Sequence, residues 1–364
     1  MRIIFTVTNQ LDYDQRMIRI CNSLAQHGFA VKIIGVQFNS RSRPEPKNYH
    51  QKRLTLFFRK GFGFYVEYNV RLFLYLLFQK ADIFCCIDLD TMLPVYVTSI
   101  LKRKIRVYDA HEYFSQQKEI ITRQNIYRVW YFIERKFVHR FAYGYTVSDG
   151  IAIEFLKNYG VCYPVIKNVP LLKLAETVPK KKKIILYQGS INEGRGFEYL
   201  IPAMREIEAI LLIFGDGNFL VQAQRLVKEN QLQHKIFFEG KFLPNDLDNI
   251  TNVAYIGINL VEPFGKNQLL SLANKFFDYM HHAVPQVTMN FIEYRKINDE
   301  FKVALLIDTL SEQSVSASIN CLLNNEKLYF NLQQNCLKAR EVFNWQNEEK
   351  KLVQFYKQFN KQKK

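Results

Sequence analysis

Ile184-Ile185-Leu186-Tyr187-Gln188-Gly189-Ser190-Ile191-Asn192-Glu193-Gly194-Arg195-Gly196-Phe197 passes from an apolar run through a glycine-rich loop into a helical pattern. A short apolar run closed by glycine reads as a buried strand, Ile184 to Tyr187, and a helix begins near Phe197. In an open parallel sheet, ligands bind beyond the C-terminal ends of the strands, where this loop lies. Glycines let the backbone approach a phosphate, the helix start attracts the anion, and Arg195 adds a planar cationic fork. A turn with an exposed arginine has the same composition, so the surrounding chain must decide.

Outward from this stretch the alternation repeats. Downstream, strands are predicted at Leu211 to Phe214, Ile236 to Phe238, Ile256 to Leu260, Val284 to Thr288 and Val303 to Ile307. Upstream, Ile3 to Val7 is followed by a helical pattern from Gln15 to His27, then by Ala30 to Val36 after Gly28. Further strands are read at Ile83 to Ile87, Ile105 to Tyr108 and Tyr143 to Val147. Strands alternating with helices give doubly wound parallel sheets. Asn168-Val169-Pro170 and the run Pro179 to Lys183 read as a linker, so a first domain spans 1–170 and a second 171–345.

The length of 364 residues and the 48% hydrophobic content suffice for two cores. No run approaches the roughly 18 to 20 apolar residues that span a bilayer. The N-terminus reads as a strand, not as a secretion signal. Cys21, Cys85, Cys86, Cys162, Cys321 and Cys336 lack metal-ligand spacing and read as reduced core residues, so a cytoplasmic location is expected. The net charge of +16 favours anionic partners. Nucleic acid is disfavoured, because no recognition motif accompanies the charge. A membrane surface fits better. Between Lys47 and Lys80, Lys52, Arg53, Arg59, Lys60 and Arg71 interleave with Phe57, Phe58, Phe62, Phe64, Tyr65, Phe73 and Tyr75. That mixture suits peripheral attachment to the cytoplasmic face of a membrane, although a core helix with basic flanks would look similar. Lys357 to Lys364 reads as a frayed tail.

Several clusters carry candidate chemistry. Gly215-Asp216-Gly217 follows a strand and lets a second loop approach a ligand. In Ser271-Leu272-Ala273-Asn274-Lys275-Phe276-Phe277-Asp278, Ser271 is expected to cap a helix whose first amides, including those of Leu272 and Ala273, bind phosphate. Lys275 would add charge, and Asp278 would accept from a ribose diol; an i,i+3 pair of the two is the plainer reading. Asp109-Ala110-His111-Glu112 follows a strand of the first domain, and His111 and Glu112 are the candidates for sugar contact or proton transfer. Asn9, Asp14 and Arg16 lie after the first strand and suit acceptor or sugar contact, as does a solvated helix start. Asp88-Leu89-Asp90 has the form of a metal-binding carboxylate pair, but is read as lining the cleft or capping a helix, with no metal expected.

Taken in order, Asp14-Gln15-Arg16, Asp109-Ala110-His111-Glu112, Thr146-Val147-Ser148, Tyr187-Gln188-Gly189 with Gly194-Arg195-Gly196, Asn274 to Met280 and Phe343-Asn344-Trp345 resemble glycosyltransferase family 4 and its relatives over nearly the whole chain. The resemblance implies the α/β GT-B architecture: two facing Rossmann-like, doubly wound parallel-sheet domains, with a C-terminal helix, about 346–364, crossing back to the first. It implies a UDP- or GDP-linked nucleotide sugar on the second domain, held by Gly189, Arg195, Gly215, Gly217, Ser271, Leu272, Asn274, Lys275 and Asp278. Transfer to a glycan or lipid-linked acceptor, retention of anomeric configuration, no metal and no other cofactor are further implications. Domain closure would then exclude water from the donor. Two positions depart from the family. Leu270 stands where a glutamate usually meets the sugar, and Ser190 where an arginine usually follows Gly189. A sugar-nucleotide epimerase of the same architecture, or a non-catalytic membrane- or polyanion-binding protein, are the alternatives. A dehydrogenase is disfavoured, since Thr8-Asn9-Gln10-Leu11 replaces the glycine motif after the first strand.

Overall fold

The computed structural model describes residues 1–12, 14–37, 47–173, 182–242 and 246–361. The chain divides into two compact units: residues 1–167 with 265–267 and 348–364, and residues 168–264 with 268–347. Most of the linker run at Pro179 to Lys183 lies outside the described residues.

In the first unit, β1 (Arg2–Gln10), β2 (Ala30–Gln37), β3 (His50–Thr55), β4 (Ile83–Ile87), β5 (Ile105–Ala110) and β6 (Tyr143–Thr146) form a sheet in the order β3-β2-β1-β4-β5-β6. Every pairing is parallel. The central strands are continuous apolar runs, and all five residues of β4 are buried, because helices cover both faces. β3 escaped the sequence reading. Its sequence, HQKRLT, buries only Leu54, which an edge strand permits.

In the second unit, β7 (Ile184–Gln188), β8 (Ile210–Phe214), β9 (Ile236–Gly240), β10 (Ile256–Asn259), β11 (Gln286–Met289) and β12 (Ala304–Ile307) are ordered β9-β8-β7-β10-β11-β12. Counted within its own unit, this is the same strand order as in the first. Each sheet therefore reverses direction once, between β1 and β4 and between β7 and β10, and the crevice at such a reversal is where a doubly wound sheet accepts a ligand.

The last helix, Trp345–Lys361, packs from Glu348 onward with the first unit. Tyr356 and Phe359 are fully buried there, Tyr356 edge-on to Phe5 and Phe359 edge-on to Tyr143. This corrects the expectation of a frayed tail from Lys357, because apolar residues at helical spacing pull those turns onto the sheet. A second correction concerns the cysteines. All six are free thiols, but Cys162 and Cys321 are exposed and not core residues. Among the described residues, no helix is long and apolar enough to cross a membrane.

Candidate functional site

The residues singled out by sequence fall into two groups, one in each unit. In the second unit, the loops after β7 and β8 are locked backbone to backbone. The Gly189 amide donates to the Phe214 carbonyl at 2.9 Å, and the Ile191 amide to the Asp216 carbonyl at 3.0 Å. Gly215 has φ +147°, and a Cβ there would lie 1.8 Å from the Gly189 carbonyl oxygen. Gly217 is equally tight: its Cβ would meet the Ile191 carbonyl oxygen at 2.3 Å. These glycines bring two loops together at the ends of adjacent strands, which no residue with a side chain would allow.

Beside this cradle lies Lys275. Its ammonium sits 3.5 Å from the centroid of the Tyr187 ring, and its Nζ is 3.5 Å from where a Gly189 Cβ would be. Desolvation, then the nearby positive charge of Arg195, push the lysine pKa well below its usual range, while Asp278 pulls it upward. Two cations are thus held close in a poorly hydrated place, an arrangement that an anion would stabilise. Asp278 is buried, and its Oδ2 accepts from Gln188 Nε2 at 3.2 Å. Gln188 in turn accepts from the Thr251 hydroxyl at 2.9 Å, so the carboxylate is oriented through two neighbours. Asn274 is exposed and accepts from Asn168 Nδ2 at 2.7 Å.

The start of this helix differs from expectation. A short helix, Lys266–Leu270, ends before Ser271, and the next runs Asn274–His281 with Ala273 at the cap position and no side-chain cap. Ser271 is therefore not the cap. The Ala273 amide, expected to face phosphate, donates instead to the Tyr294 hydroxyl at 2.9 Å. Any amide contribution from this helix moves to its first turn at Asn274 and Lys275.

In the first unit, Asp109, next to last in β5, is fully buried between two partners. Arg16 Nη2 donates to its Oδ1 at 3.1 Å, and His111 Nε2 lies 3.0 Å from its Oδ2. Burial alone would raise the Asp109 pKa, but Arg16 and His111 outweigh it and hold the carboxyl below its usual range. For His111, burial works downward and is overcome by the Asp109 carboxylate, leaving its pKa raised. Arg16 is itself buried and also donates to the Ile166 carbonyl at 3.1 Å. It orients Asp109 and so His111, where sequence had it reaching for an acceptor. Asp14 caps the helix Gln15–Gln26 through the Met17 amide at 3.0 Å and accepts from Asn9 Nδ2 at 3.0 Å. These two residues shape the turn after β1.

The turn carrying His111 and Glu112 hangs on Asp88. One Asp88 carboxylate oxygen accepts from the His111 amide at 2.9 Å and the Glu112 amide at 3.2 Å, and the Asp88 amide donates to the Asp109 carbonyl at 3.0 Å. Asp88 holds φ +53° with ψ −174°, a positive-φ conformation that costs a non-glycine residue about 1–3 kcal/mol. Asp90 accepts from the Thr8 hydroxyl. Both carboxylates are thus engaged with protein donors. Glu112 accepts from Gln117 and, at 3.3 Å, from Asn267 Nδ2, while Asn267 Oδ1 accepts from the Tyr113 amide at 2.8 Å. Gln117, Asn267 and Thr251 were missed in the sequence, while Tyr187 and Gln188 were read there as part of the motif before Gly189 and not as site residues. Tyr187 and Gln188 immediately precede Gly189, so their positions were the one available signal.

Comparison with known proteins agrees with this layout. Residues 171–339 match the family model for glycosyl transferases group 1. Sucrose-phosphate synthase from Thermosynechococcus elongatus superposes with a TM-score of 0.80 at 16% identity, covering 99% of each chain. Anabaena HepE in complex with UDP and glucose superposes with a TM-score of 0.75 at 13% identity, covering 98% of this chain and 99% of that one. A curated 4-hydroxy-3-methylbut-2-en-1-yl diphosphate synthase (flavodoxin) of Phocaeicola vulgatus is 30% identical over 119 residues, 31% of this chain and only 19% of that protein. So short a share of its length carries no activity over to this chain. The superpositions define a fold of the GT-B class, and the group 1 match supports glycosyl transfer as the chemistry. Within that class the chain resembles glycosyltransferase family 4 and its relatives, with the group 1 model lying on its second unit.

Proposed function

We propose that this protein transfers a sugar from a UDP- or GDP-linked donor to a glycan or lipid-linked acceptor, with retention and without a metal. The observation that carries the reading is the position of Lys275, whose Nζ is 3.5 Å from where a Gly189 Cβ would be, with burial and then the nearby charge of Arg195 depressing its pKa. A diphosphate there would be met by both charges, and the charge that develops on it as the glycosidic bond breaks would be stabilised. Asp278, oriented by Gln188 and Thr251, would accept from the ribose hydroxyls.

His111, raised in pKa by Asp109, and Glu112 would act on the transferred sugar. No protein nucleophile is assigned, because front-face transfer assisted by the leaving phosphate needs none. Leu270 in place of the usual glutamate means that sugar recognition rests on other groups.

The test is a panel of UDP-, GDP- and other nucleotide sugars, with and without chelator, on wild type, Arg195→Ala and Asp278→Ala. Selective, chelator-insensitive binding lost in both variants supports the proposal, and product analysis separates transfer from epimerisation. If no nucleotide sugar binds, the reading fails.

A further inference from the structure

The helix Gly61–Leu77 is apolar on two opposite sides. Phe64, Tyr68, Leu72 and Leu76, each four residues apart, are buried in the first unit. A second ridge at the same spacing, Phe62, Val66, Val70, Leu74 and the capping Phe78, stands between 45% and 84% exposed. A helix lying on a globular core normally presents polar residues on that outer side. An apolar stripe running the full length of an exposed helix is an interaction surface.

The surroundings of the stripe fix the chemistry of what covers it. Phe57 and Phe58, also exposed, extend it at the N-terminal end, next to exposed Arg59 and Lys60, and Lys80 stands just beyond its other end. The helix carries one acidic residue, Glu67, and that carboxylate is engaged by the Phe57 and Phe58 amides and by Arg71 Nε at 2.8 Å. A neighbouring helix, Gln124–Phe137, touches this one through the edge-on rings of Tyr65 and Trp130. It exposes Val129 and Phe132 among Arg128, Arg135 and Lys136. Apolar side chains rimmed by cations on a chain of net charge +16 oppose a second, equally charged copy and favour a surface that is apolar within and negative outside.

We infer that this face seats the protein on an anionic phospholipid bilayer, with the Phe62–Phe78 ridge in the headgroup–acyl boundary and Arg59, Lys60 and Lys80 on the lipid phosphates. The inference is independent of donor turnover, since none of these residues belongs to the candidate site.

Co-sedimentation of the full chain with phosphatidylcholine vesicles, with and without phosphatidylglycerol, tests it. Wild type is expected to partition onto the phosphatidylglycerol vesicles and less so in high salt. Phe62→Ser/Val70→Ser/Phe78→Ser should lower the partition coefficient at least about tenfold, with circular dichroism and nucleotide binding unchanged. Arg59→Glu/Lys60→Glu should remove the preference for anionic lipid. Wild type remaining in the supernatant, or the triple variant partitioning like wild type, overturns the inference. So does a solution dimer that the triple variant disrupts while vesicles bind neither protein.

Discussion

The Lys275 ammonium lies 3.5 Å from the centre of the Tyr187 ring, and Asp278 stands one turn further along the same helix. The lysine is held in surroundings that disfavour its charge until an anion arrives. UDP binding in alkaline buffer should therefore take up protons, because a pyrophosphate restores the depressed pKa. Calorimetry in buffers of different ionisation enthalpy reads this uptake directly. Lys275→Arg, charged throughout, should bind without it, and Lys275→Ala should weaken UDP by about 10- to 100-fold. Equal proton uptake by Lys275→Arg would assign the effect to another group.

Gly215 and Gly28 both hold positive φ, yet they should answer differently to alanine. A Cβ on Gly215 would collide with the Gly189 carbonyl oxygen at 1.8 Å, whereas one on Gly28 meets nothing within 4 Å. Gly28→Ala should cost only the backbone preference, about 1 kcal/mol. Gly215→Ala must separate the two loops of the cradle, so urea unfolding should show a loss of more than about 3 kcal/mol, with UDP binding lost as well. Similar costs at the two sites would mean that the loops are not locked together.

These two glycines mark the limit of what the sequence discloses. The central strands and the loop after β7 were legible because buried parallel strands are uninterrupted apolar runs ending in glycine. β3 was not, since an edge strand such as HQKRLT needs one buried residue and otherwise looks like a loop. Lys275 and Asp278 were legible as types, but their seats, Tyr187 and Gln188, come from the facing strand, and no periodicity reports partners about 90 residues away. Arg16 was misread for the same reason. A helix-start arginine looks solvated until β5 delivers Asp109 beside it.

That ion pair makes its own prediction. His111 has a pKa raised above its ordinary value by Asp109, so the pair's contribution to stability is complete below the unfolded histidine pKa and is lost as pH rises through the folded one. NMR titration of the His111 ring should give a value above about 6.5 in wild type and a lower one in Asp109→Asn. Arg16→Met leaves the buried Asp109 without its main counter-charge and should destabilise the fold by about 3–5 kcal/mol in urea. If the His111 titration is unmoved by Asp109→Asn, the orienting role of the carboxylate is wrong.

Glu134 adds a pH dependence of the same sign from a different cause, burial rather than a charged partner. It is fully buried on the helix Gln124–Phe137, with Ser115 and Tyr159 as the polar residues that act on its carboxyl. Burial pushes its pKa up to about 7, with Ser115 and Tyr159 opposing the shift. An acid whose folded pKa is raised holds a proton that the unfolded chain releases near pH 4.5, so stability falls as pH climbs from there to about 7 and stays reduced above it. The cost at pH 8 is roughly 3 kcal/mol. Asp90, raised to about 7 by burial, Asp88, raised well above its usual range by burial, and His111 add slopes of the same sign, so wild type should be less stable at pH 8 than at pH 6. Glu134→Gln keeps the shape and removes the Glu134 contribution. It should unfold at higher urea than wild type at pH 8, differ little near pH 5, and retain the slopes due to Asp90, Asp88 and His111. A variant no more stable than wild type at pH 8 would mean that Glu134 is solvated or partnered when ionised.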